Sequence, residues 1–262
     1  MPRYDFRTPR LYIDAPLAEG GTAMLDRNQA NYLGNVLRLK PGADVLLFNG
    51  RDGEWRATLA RSAKRALSAE VGERTRPQTT PLDLHFLFAP LKHARLDYLV
   101  QKAVEMGASR LQPVLTRHTQ VARVNLERMR ANAIEAAQQC GILSLPAIAA
   151  PTALTALAAK ADPDRLLVFC DEDAEVKDPV AALTDLRAPH SLLLPEALQA
   201  PRLAVLIGPE GGFDEHERKS LLNHPNVVQL ALGPRILRAD TAAVAALALV
   251  QAVLGDWRTP PV

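Results

Sequence analysis

The chain has 262 residues, 48% hydrophobic and 23% charged, enough to bury one large core or two modest ones. No apolar run is long enough to cross a bilayer, and the start Met1-Pro2-Arg3-Tyr4-Asp5 lacks the apolar core of a signal peptide; a cytoplasmic protein without a membrane partner is expected. Cys140 and Cys170 are too few for a disulfide framework or a four-ligand zinc site. The net charge of +2 conceals an asymmetry: residues 1–80 hold 13 Lys/Arg against 9 Asp/Glu, residues 92–130 hold 8 against 3, and residues 162–196 hold 3 against 9. The basic stretches suit a polyanion, or are plain solvated faces.

In chain order, the first eighty residues read as short strands and turns. Residues 11–13 form a short apolar run, and residues 44–48 and 54–59 flank the turn Asn49-Gly50-Arg51-Asp52-Gly53, a hairpin signal. Residues 65–71 offer a third strand, and Asp26 is placed to cap a helix over 29–37. Together these predict a small β-barrel over residues 1–75. The polar, proline-bearing stretch 73–81 reads as a linker.

From residue 82 onward, strands alternate with helical periodicity. Strands are expected over 82–88, 111–115, 166–169, 203–207 and 227–230, and helices over 96–106, 126–139, 214–222 and 241–254. Gly107 closes the first of these helices. The runs 166–169 and 203–207 are apolar throughout, as in strands covered on both faces. The class is therefore α/β, with a parallel sheet flanked by helices.

Ligands of such sheets bind beyond the carboxyl ends of the strands, and two loops stand out there. One is Gly208-Pro209-Glu210-Gly211-Gly212-Phe213, whose glycines let the backbone approach a ligand; a simple tight turn would read the same way. The other is Leu232-Gly233-Pro234-Arg235-Ile236-Leu237-Arg238-Ala239-Asp240-Thr241-Ala242, two arginines, an acid and a hydroxyl set before a very apolar helix. It is either a capped helix start with solvated arginines or part of a site. No GxxxxGK[ST] loop, GxGxxG fingerprint or GxSxG elbow occurs, and His216-Glu217 has Ser220 where a second zinc histidine would stand. Both cysteines read as core thiols.

These two loops closely resemble those of the RsmE family, bacterial methyltransferases that act on N3 of a uridine in small-subunit ribosomal RNA. Tyr32-Leu33-Gly34-Asn35-Val36-Leu37-Arg38-Leu39-Lys40-Pro41-Gly42 is similar to the family's VLR-L-K-G segment, and Leu47-Phe48-Asn49-Gly50 to its LF-[DN]-G turn. Lys92, Arg95 and Gln101-Lys102-Ala103-Val104-Glu105-Met106-Gly107 fit its K-x-x-R…QK-x-x-E-x-G helix, and Glu135-Ala136-Ala137-Gln138-Gln139-Cys140-Gly141 its E-A-x-x-Q-[SC]-G helix. The chain departs from the pattern at Asp240, where glutamate is usual, at Ile142, where arginine often follows, and at Arg117-His118-Thr119-Gln120.

The resemblance implies a SPOUT domain over residues 76–262, its C-terminal segment threaded as a trefoil knot, behind a PUA-like or OB-like barrel, working as a homodimer. It implies S-adenosylmethionine as cofactor and no metal. Cys170, Ile207, Gly208, Pro209, Glu210, Gly211, Gly212, Leu230, Leu232, Gly233, Ile236, Leu237, Arg238, Thr241 and Ala242 would hold that cofactor. Arg238 would steady the uracil carbonyl oxygens, with Asp240 or Glu210 assisting proton removal. Arg10, Arg38, Lys40, Lys92, Lys102, Arg117 and Arg235 would contact the 16S ribosomal RNA, naked or in the assembled small subunit. Two other classes remain on the residues alone: a non-catalytic ribosome-assembly factor, and a phosphate-handling enzyme using the glycine loop as an anion nest.

Overall fold

The structure, a computed structural model, describes residues 5–61, 67–121, 123–160, 162–175, 178–186 and 201–258. They separate into two compact units, one holding residues up to Thr80 together with Ile134–Leu145, the other Pro81–Ala133 and Pro146 onward.

The first unit is a curled five-stranded sheet of β1 (Arg10–Tyr12), β2 (Thr22–Met24), β3 (Asp44–Phe48), β4 (Glu54–Arg61) and β5 (Leu67–Arg76) in the order β1-β3-β4-β5-β2. β1 runs parallel to β3, and the other pairs are antiparallel. Its inner face buries Leu11, Ile13, Val45, Leu47, Leu59 and Val71. The β3–β4 turn forms because the Asn49 side chain accepts from the backbone N–H groups of Arg51 and Asp52, each at 2.9 Å. Gly53 (φ 88°) is required there, since a Cβ would stand 2.3 Å from the Arg76 carbonyl oxygen. Asp26 caps α1 (Arg27–Asn31) in a reciprocal pair with Gln29, and a π-helical turn over Tyr32–Val36 follows in place of a uniform helix.

The expected linker begins later than the composition suggests. Residues 73–76 continue β5, because Glu54 pairs with Thr75 and Arg76 across the ladder. Of the third expected strand, residues 65 and 66 lie outside the described residues, as do residues 187–196 of the acidic stretch. Glu54 also explains why Ile134–Leu145 belongs to this unit. It lies between Arg10 and Arg76, whose remaining nitrogens donate to the carbonyls of Ala137, Gln138 and Gly141 at the end of α3 (Leu126–Cys140). The arginines thus satisfy acceptors that a helix end leaves open.

The second unit is a wholly parallel sheet in the order β12-β10-β11-β6-β7-β8, with β9 also on β7. Its strands are β6 (Leu84–Phe88), β7 (Arg110–Leu115), β8 (Ala147–Ile148), β9 (Thr152–Ala153), β10 (Leu166–Cys170), β11 (Leu203–Ile207) and β12 (Val227–Leu230). Residues of both alternations, such as Leu206 and Val205, are fully buried, so both faces are covered and the apolar runs need no polar side. On one face Leu87, Leu167 and Phe169 pack with Leu154 of α4 (Leu154–Ala159) and Leu221 of α6 (Glu215–Leu222). Of three more helices, α2 (His93–Glu105) and α5 (Pro179–Asp185) both pack on α7 (Ala239–Val253), which lies against β11, while α5 lies against β12. The helix ends follow their caps. α2 stops at Gly107 (φ 82°), and α6 starts at a reciprocal Asp214–Glu217 pair. The two-residue strands and the short helices α4 and α5 were too brief to leave a period. Among the described residues no helix is long and apolar enough to cross a membrane.

Candidate functional site

Because β12, β10 and β11 are adjacent and parallel, the segments that leave their carboxyl ends lie side by side. They enclose a cavity of about 650 Å³, of a size suited to a small-molecule cofactor. Thirteen of the fifteen residues expected at a cofactor line it: Cys170, Ile207, Gly208, Pro209, Glu210, Gly212, Leu230, Leu232, Gly233, Ile236, Leu237, Arg238 and Ala242. Gly211 and Thr241 do not. Gly211 lies under His118, a Cβ there standing 3.2 Å from the His118 Cβ, and Thr241 is exposed on α7. Asp171, Glu172, Phe213, Pro234, Arg235 and Ala239 line the cavity in addition.

The loop after β10 is anchored by Asp171. Its buried carboxylate accepts from Arg218 of α6 and from the Gln229 amide of β12. Burial would raise this carboxyl, but those hydrogen bonds outweigh it and hold it below the usual range. Burial, with the Asp171 charge alongside, pushes the neighbouring Cys170 thiol up to about 12, so it stays a protonated wall of the cavity. Cys140, by contrast, is exposed at the end of α3 and is not the core thiol expected.

The loop after β11 is shaped by its glycines. At Gly208 a Cβ would meet the Phe213 ring at 2.9 Å, and Phe213 is itself wedged edge-on against Phe169. Gly212 (φ 68°) takes the left-handed conformation. Its carbonyl oxygen meets His118 Nδ1 at 3.1 Å, so the loop after β7 leans on the glycine loop. Residue spacing gave no sign of that contact. Gly233 (φ 94°) in the third segment has open space where a Cβ would be, leaving its backbone reachable from the cavity.

Asp240 does not line the cavity. It lies in the first turn of α7, 2.9 Å from Nε of Arg95, whose guanidinium also donates to Glu210. The hydrogen bonds from Arg95 hold both carboxyls below the usual range. In this arrangement neither is a ready proton acceptor. Arg238 is exposed at the N-cap of α7, and Ile236 is 88% exposed at the cavity mouth.

The expected RNA contacts divide. Arg38, Lys40, Lys92 and Arg235 are exposed, and so is Arg117, although its guanidinium lies 3.6 Å from Asp214. Lys102 is neutralised by Glu105 at 2.7 Å. Arg10 is not placed for a phosphate: its side chain is 7% exposed, paired with Glu54 and stacked on Phe48. A second, larger cavity of about 920 Å³ lies against the amino ends of the strands, near His85, Arg165 and Arg202. There Arg165 and Arg202 are paired with Asp83 and Asp162.

Residues 78–251 match the family model of an RNA methyltransferase domain, and residues 25–72 that of an RNA methyltransferase PUA domain; sheet and curled barrel are the two parts of that class. Ribosomal RNA small subunit methyltransferase E of Rickettsia conorii is 30% identical, over 92% of this chain and 94% of that protein. The Synechocystis protein of the same name is 32% identical over 89% and 74%. The chain belongs to the ribosomal RNA small subunit methyltransferase E family. A crystal structure of the Neisseria gonorrhoeae member bound to S-adenosyl methionine superposes with a TM-score of 0.81 at 28% identity, covering 96% of this chain and all of that one. A methyltransferase from Legionella pneumophila, also solved with that cofactor, gives 0.76 at 27% identity, covering 94% and 98%.

Proposed function

We propose that this chain methylates N3 of a uridine in 16S ribosomal RNA, with S-adenosylmethionine held at the carboxyl ends of β10, β11 and β12. The observation that carries this is the cavity bounded by the Gly208–Gly212 and Leu232–Ala242 loops in a chain of this family. The residues present fit the cofactor. Open backbone at Gly233 and the apolar side chains of Leu230, Leu232 and Leu237 suit an adenosine, and the Glu172 carboxylate suits a cationic sulfonium. The bound cofactor supplies an electrophilic methyl group.

Arg238 holds the uracil carbonyl oxygens and stabilises the negative charge that spreads onto them once the N3 proton leaves. That proton passes to solvent rather than to Asp240 or Glu210, because Arg95 engages both acids. Arg38, Lys40, Lys92, Arg117 and Arg235 meet phosphates. The order β12-β10-β11, in which the last strand passes beyond β10, supports a trefoil-knotted C-terminal segment. A homodimer through α7 is supported by its partly exposed Val244, Leu249 and Val253, on a helix with almost no polar face. A ribosomal RNA substrate supports a reaction in the cytoplasm.

The test uses the full chain with small subunits from a strain lacking this modification. Calorimetric binding of S-adenosylmethionine and one new 3-methyluridine in mass-mapped 16S RNA are expected. Cofactor binding without RNA methylation, or methylation at another base atom, would refute the assignment.

A further inference from the structure

Among the described residues, Arg95 is the group that ties the glycine loop to the start of α7. It stands in the first turn of α2. Its Nε and Nη2 donate side-on to Asp240, at 2.9 and 3.2 Å, and its Nη1 donates to Glu210. Glu210 lines the cofactor cavity, while Arg95 and Asp240 stand outside it. The link therefore acts from behind the cavity wall.

The far ends of the same two helices are pinned as well. Gln251 of α7, fully buried, donates from Nε2 to the Met106 carbonyl oxygen at 2.7 Å, where α2 ends. Arg95 and Met106 are eleven residues apart, as are Asp240 and Gln251, so α2 and α7 lie parallel in one register over about 16 Å. The N-cap of α7, Arg238, makes no side-chain cap. The start of that helix is therefore secured from outside, by Arg95. Removing the guanidinium would take away the hydrogen bonds that hold both carboxylates and leave only the Arg238 charge on Glu210 against the repulsion from Asp240, favouring movement of the Glu210 loop away from α7.

We propose that Arg95 is a positioning residue for cofactor binding, a brace fixing the Gly208–Gly212 loop against the segment that runs from Leu232 into α7. This rests on the S-adenosylmethionine reading above. The planar fork of arginine suits the role, since it can serve two carboxylates at once; a lysine offers one compact charge and less fixed geometry.

The experiment is calorimetric titration of S-adenosylmethionine into the full-length chain, paired with steady-state methylation of small subunits. Arg95→Gln should weaken cofactor binding about tenfold or more, the loss expected when charge-assisted hydrogen bonds are removed. The KM for the cofactor should rise in step, while kcat at saturating cofactor stays within about threefold of the unaltered chain. Glu210→Gln should weaken binding to a similar degree, and the double variant should be little worse than either single one, because both remove the same link. Arg95→Lys should lie between, and it supplies the same comparison should Arg95→Gln fail to fold. An unchanged cofactor Kd in Arg95→Gln or Arg95→Lys would overturn the proposal. So would losses that multiply in the double variant, or a collapse of kcat with cofactor binding intact. If the unaltered chain takes up no cofactor in the same titration, the cofactor reading itself falls, and this proposal with it.

Discussion

Replacing Glu54 by glutamine tests whether the Arg10–Glu54–Arg76 cluster holds the first unit together. The Glu54 side chain is 5% exposed; Oε2 accepts from Arg10 at 2.7 Å and from Arg76 at 2.6 Å, and Oε1 accepts from Arg76 and Thr75 at 2.9 Å. A solvent-exposed pair would be worth at most about 1 kcal/mol, whereas removing one partner of a buried pair costs roughly 3–5 kcal/mol. Glutamine keeps the shape but turns an amide N–H toward guanidinium donors, so the larger figure applies. For a chain of this size each kcal/mol lowers Tm by about 2–4 °C, giving a fall of roughly 6–20 °C at pH 7.

The pH dependence follows from the carboxyl. Burial would raise it, but the hydrogen bonds from Arg76 and Arg10 hold it below the usual range. A folded-state pKa below the unfolded one means the stabilisation is fully present above the unfolded pKa and lost as pH falls through the folded one. The gap between the two proteins should therefore narrow in acid. Thermal and urea unfolding followed by circular dichroism, at pH 7 and near pH 3, measure this. A loss under about 1 kcal/mol at pH 7, or a gap that does not narrow in acid, would refute the reasoning.

Four further outcomes follow from the geometry. Gly208→Ala should weaken S-adenosylmethionine binding and cost about 1–3 kcal/mol of stability, because its methyl group would press on the Phe213 ring at 2.9 Å; a variant with unchanged calorimetry and Tm would contradict this. His85 is held down to about 4 by burial and by the Arg165 charge, despite the Asp83 carboxylate 3.2 Å away, since Asp83 is already shared with Arg165 and Arg202. The unfolded chain then binds the extra proton first, so stability should rise between about pH 4 and 6.5, and His85→Gln should flatten that rise in acid-titration melts. Lys40→Ala should reduce the salt slope of RNA binding by about one while leaving the saturated rate intact. Arg238→Ala should lower that rate about a hundredfold with RNA affinity little changed, and a normal rate at saturating RNA would remove Arg238 from the mechanism.

The local code was legible because it depends on neighbours along the chain. The strands Asp44–Phe48, Leu203–Ile207 and Val227–Leu230 occupy the positions their apolar runs predicted. Asp26 caps the helix it was expected to start, and Gly107 ends α2. The loops Gly208–Gly212 and Leu232–Ala242 stood out as a pair for the same reason, since glycine, proline and clustered charge mark them without any knowledge of the sheet. Periodicity says nothing of partners distant in sequence, and the misreadings follow from that. Arg10 looked like one more basic side chain until Glu54 and the end of α3 closed around it. Residues 73–76 had a linker's composition but pair with β4.

The sequence by itself thus determined the α/β class, the hairpin and the two loops that border the cavity, because backbone preference and apolar spacing act over a few residues. Tertiary structure decided the order β12-β10-β11, which sets three loops from distant parts of the chain around one cavity. It also decided the fate of the charges. Asp240 and Glu210 stood in the sequence as candidates to assist proton removal, yet across 145 and 115 residues they meet Arg95, and that pairing alters their chemistry. The strength of a carboxylate as a base depends on which cation faces it, and here the fold supplies that cation from α2.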